Sequence, residues 1–347
     1  MFETAIKWSE REFVHLPWRV ERTLYSTLVS ELMLQQTTVS TVINYYRPFL
    51  DKYPTVEALA NATEEEVLMS WKGLGYYRRA RNLHGAVKEI LKKHAGIIPQ
   101  DFETLLAIPG IGAYTANALL SIGGDQQAFP VDANLERIIS RLYGLRKKKG
   151  PKLQKEISQL FSEGKIITNR EKYSFRALAE TLMDVGRVFC QANKANCSEC
   201  PLSKNCMAYH MGNPLGYPLS GEKKASQKQQ QLELLRILVK KDGKVLAYKK
   251  NESEWLSGQL EIPTFILESE DKKLTQYPLL NKSFDLALLK NFKTGITKYR
   301  INNFVAELSE AEFKQLGLDM SRYSFYHSDP SVSNYSTSTL KAFNKLD

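Results

Sequence analysis

The sequence predicts a mainly α N-terminal region followed by a smaller α+β domain. Three observations carry that prediction. From about Tyr25 to residue 189, apolar residues recur at helical spacing, with no convincing strand. A tight Pro109–Gly110–Ile111–Gly112 turn lies between two short apolar helices, inside the stretch LLAIPGIGAYTANALLSIGGDQQAFPVDANLER. Past residues 213–230, a mixture of Gly, Pro, Lys and Gln that reads as a linker, the apolar period shortens toward two. A chain of 347 residues with 43% apolar side chains fits two domains, each with its own core.

Charge narrows the function. The net charge is +10. Of the 48 basic and 38 acidic side chains, 17 and 15 lie in 231–347, so an excess of eight belongs to 1–230. The basic excess thus accompanies the glycine turn, as in a nucleic-acid reader, although charge alone does not separate this from a generic basic protein. No apolar run reaches the roughly 18 residues of a membrane span. The first residues, MFETAIKWSEREF, lack a signal peptide's apolar centre. The expected location is therefore cytoplasmic, with no membrane partner.

In chain order, residues 13–19 (FVHLPWR) read as an extended segment. A helical pattern follows through Leu28, Leu32, Val39, Val42 and Tyr46, interrupted near Gln35–Gln36–Thr37. Glu31 sits inside it. A helical Glu is commonly solvated, but one held in an apolar pocket has a raised pKa and can donate a proton near neutral pH. Pro54 opens another helix, and Thr63 to Glu66 form a capping box. Gly73–Leu74–Gly75–Tyr76–Tyr77 is a second glycine turn, with Arg78, Arg79 and Arg81 behind it. Aromatics beside arginines suit base stacking and phosphate contacts, or simply a helix end with a basic solvated start to the next helix. A long helix spans 76–95.

At the central stretch, Gly110 and Gly112 are able to take φ > 0 and to present bare backbone. N–H groups there, ahead of a helix, form a cradle for a phosphate. Asp132 opens the next helix, either as a plain N-cap or as a working carboxylate. Helices continue over about 133–143, 151–163 and 171–189. Then comes Cys190-x6-Cys197-x2-Cys200-x5-Cys206, four thiols within a short loop. One close pair flanked by wider gaps suits a 4Fe–4S cluster better than structural zinc. In the C-terminal part, Leu232–Val239 and Lys244–Tyr248 read as strands around an Asp242–Gly243 hairpin. Leu260–Leu267 and Asn303–Leu308 are further strands, with a helix near 283–290.

SELMLQQT, GLGYY, LLAIPGIGAYTA, VDAN and the cysteine run occur in the order seen in adenine DNA glycosylases, and nearly the whole chain resembles that MutY family. The resemblance implies a helix-hairpin-helix region with a six-helix module at about 23–130 and an iron–sulfur cluster module from 1–22 plus 131–212. It implies a nudix-like recognition domain over 231–347. Endonuclease III-like relatives carry a strand-cutting lysine where this chain has Tyr114, and lack the early Glu. The resemblance therefore implies the monofunctional branch, which removes adenine opposite 8-oxoguanine or guanine in double-stranded DNA, as a nucleoid-associated monomer. Glu31 would be the acid, Asp132 the carboxylate facing the sugar, and Tyr114 and Asn134 would position Asp132 and water. Trp18, Arg19, Leu34, Val39 and Glu180 would surround the adenine. Gln36 and Tyr76 would wedge the duplex, with Thr37 and Leu74 beside the opposite base. Gly110 and Gly112 would hold the DNA backbone, with a bound cation as one route. Cys190, Cys197, Cys200 and Cys206 would ligate the cluster. The family's Phe-Ser-His loop has Gly295–Ile296–Thr297 as its nearest counterpart here, which predicts weaker or differently made discrimination of 8-oxoguanine. Trp255-x4-Leu260–Glu261–Ile262–Pro263 resembles another segment of the same domain. Two alternatives remain: a superfamily mismatch glycosylase of another base preference, and a non-catalytic iron–sulfur DNA-binding protein.

Overall fold

The computed structural model describes residues 1–167, 172–219, 229–280, 284–296 and 298–346. They form two compact units, one on each side of residues 220–228.

The first unit is helical. It runs α1 (Glu3–Phe13), α2 (Pro17–Val20), α3 (Leu24–Leu34), α4 (Val39–Lys52), α5 (Val56–Asn61), α6 (Glu64–Ser70), α7 (Arg78–His94), α8 (Phe102–Leu106), α9 (Ala113–Ala118), α10 (Ala133–Tyr143), α11 (Pro151–Ser162), α12 (Phe175–Val188) and α13 (Met207–His210). Side-chain caps set many of the starts: Thr23 for α3, Thr38 for α4, Thr63 for α6, Asp101 for α8, Asp132 for α10 and Ser174 for α12. Residues 13–19 are not extended. Phe13 closes α1, and Pro17 occupies the first turn of α2, where its missing N–H is no loss.

This unit has two main apolar cores. One gathers Leu28, Leu32, Phe49, Trp71, Leu83, Val87, Leu105 and Leu119, all from α3 through α9 and the turn after it. The other gathers Phe2, which precedes α1, and Ile6 of α1 with Phe129, Leu135, Ile139, Leu178, Leu182 and Leu202. Ala118, Ile122 and Ala179 form a small third cluster, with Tyr114 and Met183 against it. The small side chains let α12 lie close to the π-helical turn Leu119–Gly123.

The second unit is α+β. Its strands are β1 (Gln230–Leu238), β2 (Lys240–Lys241), β3 (Lys244–Lys249), β4 (Leu260–Glu261), β5 (Thr264–Ser269), β6 (Lys290–Ile296), β7 (Tyr299–Glu307) and β8 (Ser324–His327). One sheet has the order β5-β1-β7-β6, with β1 and β7 parallel and the outer pairs antiparallel. In the other, β3 pairs with β2, β4 and β8. The expected Asp242–Gly243 turn joins β2 to β3, both residues having positive φ. The expected strand over 260–267 is divided because Pro263 cannot donate a ladder hydrogen bond. The helix expected near 283–290 is a single 3₁₀ turn, Leu286–Leu288, leading into β6; residues 281–283 lie outside the described residues. The helices of this unit are instead α14 (Glu310–Lys314), opened by a Ser309/Glu312 capping box, and α15 (Thr337–Leu346).

Candidate active site

Glu31 lies on α3, where nine of the eleven side chains are buried. It is only 6% exposed, so the open question of pocket or wet face is decided for the pocket. Tyr114, in the first turn of α9, donates its hydroxyl to Glu31 Oε2 at 2.6 Å. Burial raises the Glu31 carboxyl. The Tyr114 hydrogen bond opposes that rise, the nearby Asp132 and Glu180 charges add to it, and Arg22 opposes it; the result is about 7.

Asp132 caps α10. Its Oδ1 accepts from the backbone N–H groups of Asn134 and Leu135, both at 2.8 Å, and its Oδ2 from Asn134 Nδ2 at 2.8 Å. Burial raises this carboxyl, while the three N–H donors and Arg137 favour its charged form. Cap and reactive carboxylate are compatible, because one oxygen suffices for the backbone. Asn134 bonds Asp132 through both its backbone N–H and its side-chain amide. Tyr114 does not: its hydroxyl is spent on Glu31, because α9 faces α3 there. The two carboxylates lie beside different cores and still feel each other, and burial, with the charges of both adding to it, pushes the Tyr114 phenol well up.

Trp18 stacks edge-on against Tyr46, with ring centres 5.7 Å apart, and rests with Leu34 on the first core. Val39, the first residue of α4, lines a groove of about 380 Å³ with Phe13, His15, Leu16 and Arg187. Arg19 bonds Asp184 at 2.9 Å and lies 3.6 Å from Glu180. Arg22 bonds Glu180 at 2.5 Å. Asp184 also accepts from Ser9 at 2.6 Å. Burial raises the Glu180 carboxyl despite both arginines. Sequence reasoning missed Arg22, Asp184 and Ser9. The two arginines three residues apart in WRVER were the available signal; Ser9 and Asp184 are 175 residues apart and gave none.

Gln36 and Tyr76 are both exposed, Tyr76 by 61%, and both have positive φ. Thr37 is half-buried. The Leu74 side chain is in the core, so only its backbone faces this loop. Arg79 corrects the expectation of a phosphate contact: it is 7% exposed, and its guanidinium bonds protein oxygens. Arg81 bonds Glu64 at 2.9 Å, while Arg78 is exposed. In the hairpin, Gly110 takes φ +92° and lies so near α7 that a Cβ would come 2.7 Å from the Asn82 carbonyl oxygen. Gly112 does not need positive φ: it caps α9 with φ −95°, facing open space.

The four cysteines are free of disulfides and half-buried. Arg141 donates to Cys190 Sγ at 3.3 Å, and Cys206 Sγ lies 3.4 Å from the Arg141 carbonyl. Burial, with the other three thiols adding to it, pushes Cys200 up to about 11. Among the described residues, no three His, Cys, Asp or Glu side chains are gathered tightly enough to hold a single metal ion. In the second unit, Gly295 and Ile296 end β6, and Thr297 lies outside the described residues. Trp255 packs against Tyr277 and Tyr299.

The model of the HhH-GPD superfamily base excision DNA repair proteins matches residues 29–163. The adenine DNA glycosylase of Buchnera aphidicola subsp. Acyrthosiphon pisum is 37% identical over 60% of this chain, which spans 59% of that relative's length. The human adenine DNA glycosylase is 34% identical over 59% of this chain and 38% of its own. That of Mycobacterium tuberculosis is 33% identical over 60% of this chain, covering 67% of the relative. Among solved structures, a thermostable thymine-DNA glycosylase superposes on 60% of this chain and 94% of its own, with a TM-score of 0.51 and 26% identity. That likeness covers the helical fold, and the kinship with the mycobacterial protein is the closer statement: this chain belongs to the adenine DNA glycosylase family of the HhH-GPD superfamily.

Proposed function

We propose that the chain is a monofunctional DNA glycosylase of base excision repair, acting as a monomer at the nucleoid. It hydrolyses the N-glycosidic bond of adenine opposite 8-oxoguanine or guanine and leaves an abasic site. The observation that carries this reading is a buried Glu31 with a pKa of about 7, bonded by Tyr114 and raised further by the charge of Asp132, which is pinned at a helix N-terminus.

The chemistry follows from those positions. The base must leave the duplex, at a cost of a few kcal/mol. Adenine is a poor leaving group until N7 is protonated. With Oε2 accepting from Tyr114, the Glu31 proton sits on Oε1, free to transfer to N7. The C1′–N9 bond then breaks, its electron pair going to the base, and the sugar becomes oxocarbenium-like. Charged Asp132, held by Asn134 and Leu135, faces that cation or bonds to it, and water completes hydrolysis. Trp18, Arg19, Leu34, Val39 and Glu180 bound the base. Gln36, Thr37 and Tyr76 meet the opposite strand, with Leu74 holding their loop from the core, and Gly110 and Gly112 meet the DNA backbone, with a cation at the hairpin as an aid. Tyr114 in place of an amine supports release of the base without strand cleavage.

Cys190, Cys197, Cys200 and Cys206 would hold a 4Fe–4S cluster. The residues fit it: four unpaired thiols lie within one another's electrostatic reach, with an arginine N–H on one sulfur. When bound, the cluster braces this loop.

The likeness to a thymine-DNA glycosylase raises a second base preference. Thymine has no N7, so a buried proton donor of this kind favours a purine. Duplexes with A opposite 8-oxoguanine, G or C and with T opposite G, assayed for base release and then alkali cleavage, test the reading. Adenine release that Glu31→Gln abolishes while duplex binding persists is the expected result. Release of thymine alone, or full adenine release by that variant, overturns it.

A further inference from the structure

Two separate loops, Gln35–Thr38 after α3 and Leu74–Tyr77 before α7, converge on one buried cation. The Arg79 guanidinium bonds six oxygens. Nη1 donates to the carbonyls of Leu32 at 2.8 Å and Met33 at 2.7 Å, and to that of Gln35. Nη2 donates to Thr37 Oγ1 at 2.9 Å, to the Leu74 carbonyl at 3.0 Å and to the Gly75 carbonyl at 3.2 Å. None of these six is a carboxylate. Two of the carbonyls, Leu32 and Met33, belong to the last turn of α3 and a third to its cap residue Gln35, where the helix dipole is negative, so the arginine closes that helix end. Its central carbon Cζ lies 5.6 Å from the centres of both the Trp71 and Tyr76 rings. Trp71 is itself fully buried, and its Nε1 donates to the Gly75 carbonyl at 3.2 Å.

What is held this way is costly and exposed. Gln36 and Tyr76 have φ of +55° and +46°, which side-chain-bearing residues adopt at a cost. Both are exposed, Tyr76 by 61%, so neither repays that cost by burial. Strain kept at two exposed side chains, and enforced by one buried fork, marks a surface shaped for a ligand rather than for stability.

We propose that Arg79 is a positioning residue that locks these two loops into one rigid reading edge, so that Gln36 and Tyr76 enter the duplex together beside the mismatch. This rests on the glycosylase reading above. Nη1 holds the end of α3 and the first residue of the loop that follows it, and Nη2 ties Thr37 of that loop to the two carbonyls of the second, so the geometry needs the planar fork and not merely a positive charge. Lysine keeps the charge and cannot bridge.

The experiment compares the full-length wild type with Arg79→Lys and Arg79→Met. Duplexes carry A opposite G or 8-oxoguanine, with 2-aminopurine beside the mismatch to report unstacking. Arg79→Lys is expected to bind at least tenfold more weakly and to lose most of the 2-aminopurine rise. Its single-turnover rate at saturating protein should fall less than threefold. Trp71→Phe, which removes the Nε1–H donated to the Gly75 carbonyl and leaves every exposed side chain of the two loops in place, should show a smaller loss of the same kind and keeps the test open if the arginine variants do not fold. Wild-type binding and fluorescence in Arg79→Lys would overturn the proposal. So would binding and rate falling in step with melting temperature, the signature of a merely structural side chain. If the wild type releases no adenine, the chemistry proposed above fails, while binding and fluorescence still test the clamp.

Discussion

Glu31 keeps its proton because the helix that carries it is buried almost all round, and one hydroxyl is too little to replace water around a carboxylate. Its value near 7 against an ordinary 4.5 sets two expectations. In the mechanism proposed above the acid must be protonated, so single-turnover adenine release should fall about tenfold per pH unit above roughly 7, measured at saturating protein. The second is a stability effect. A carboxyl whose pKa is raised on folding binds its proton more tightly in the folded state, so stability is lost as pH climbs from about 4.5 through 7. Glu31→Gln removes that penalty. Its stability relative to wild type should be greater at pH 8 than at pH 4 by on the order of 3 kcal/mol, read by urea unfolding. An equal difference at the two pH values would show that Glu31 is not a buried acid.

At the scale of elements, the hairpin and the start of α10 both use helix N-termini, but in different ways. The α10 terminus is filled by Asp132, whereas Gly112 at the α9 terminus leaves its backbone bare. The two hairpin glycines therefore separate folding from binding. Gly110→Ala forces a Cβ onto the Asn82 carbonyl at φ +92° and should cost roughly 2–3 kcal/mol in thermal or urea unfolding. Gly112→Ala meets nothing within 4 Å; it should melt as wild type does and bind duplex several-fold more weakly by fluorescence anisotropy. Two glycines in IPGIG were visible in the sequence. Which of them is locked against α7 was not, because that depends on Asn82, far along the chain.

At the scale of the whole molecule, each unit has its own cores and its own buried charges. In the second unit Glu261 is 1% exposed, bonded to Arg236, Lys250 and, at 3.2 Å, Tyr277. The two cations hold its carboxyl down at about 2 against the cost of burial. Glu261→Ala leaves two buried cations without their counter-charge. It should destabilise that unit by about 3–5 kcal/mol. Calorimetry is expected to show one transition moving down and the transition of the helical unit unchanged, with adenine release from A opposite C retained. Both transitions moving together would mean that the units do not fold independently.

The amino-acid order by itself determined the helical N-terminal region, the change of period after 230, the glycine hairpin and the cysteine run. These rest on residue type and local spacing, and caps, turns and amphipathic periods act within a few residues. Local signals also went wrong where the same residues allow two states: 13–19 became helical turns, and the helix near 283–290 shrank to one turn before β6. Only the tertiary structure decided that Glu31 is dry, that Tyr114 bonds it and not Asp132, that Arg22 bonds Glu180, and that Arg79 is spent on internal oxygens. Those facts depend on which atoms meet across 42 to 158 residues of chain. Burial and the electrostatics it amplifies are properties of the packed molecule, not of any one segment.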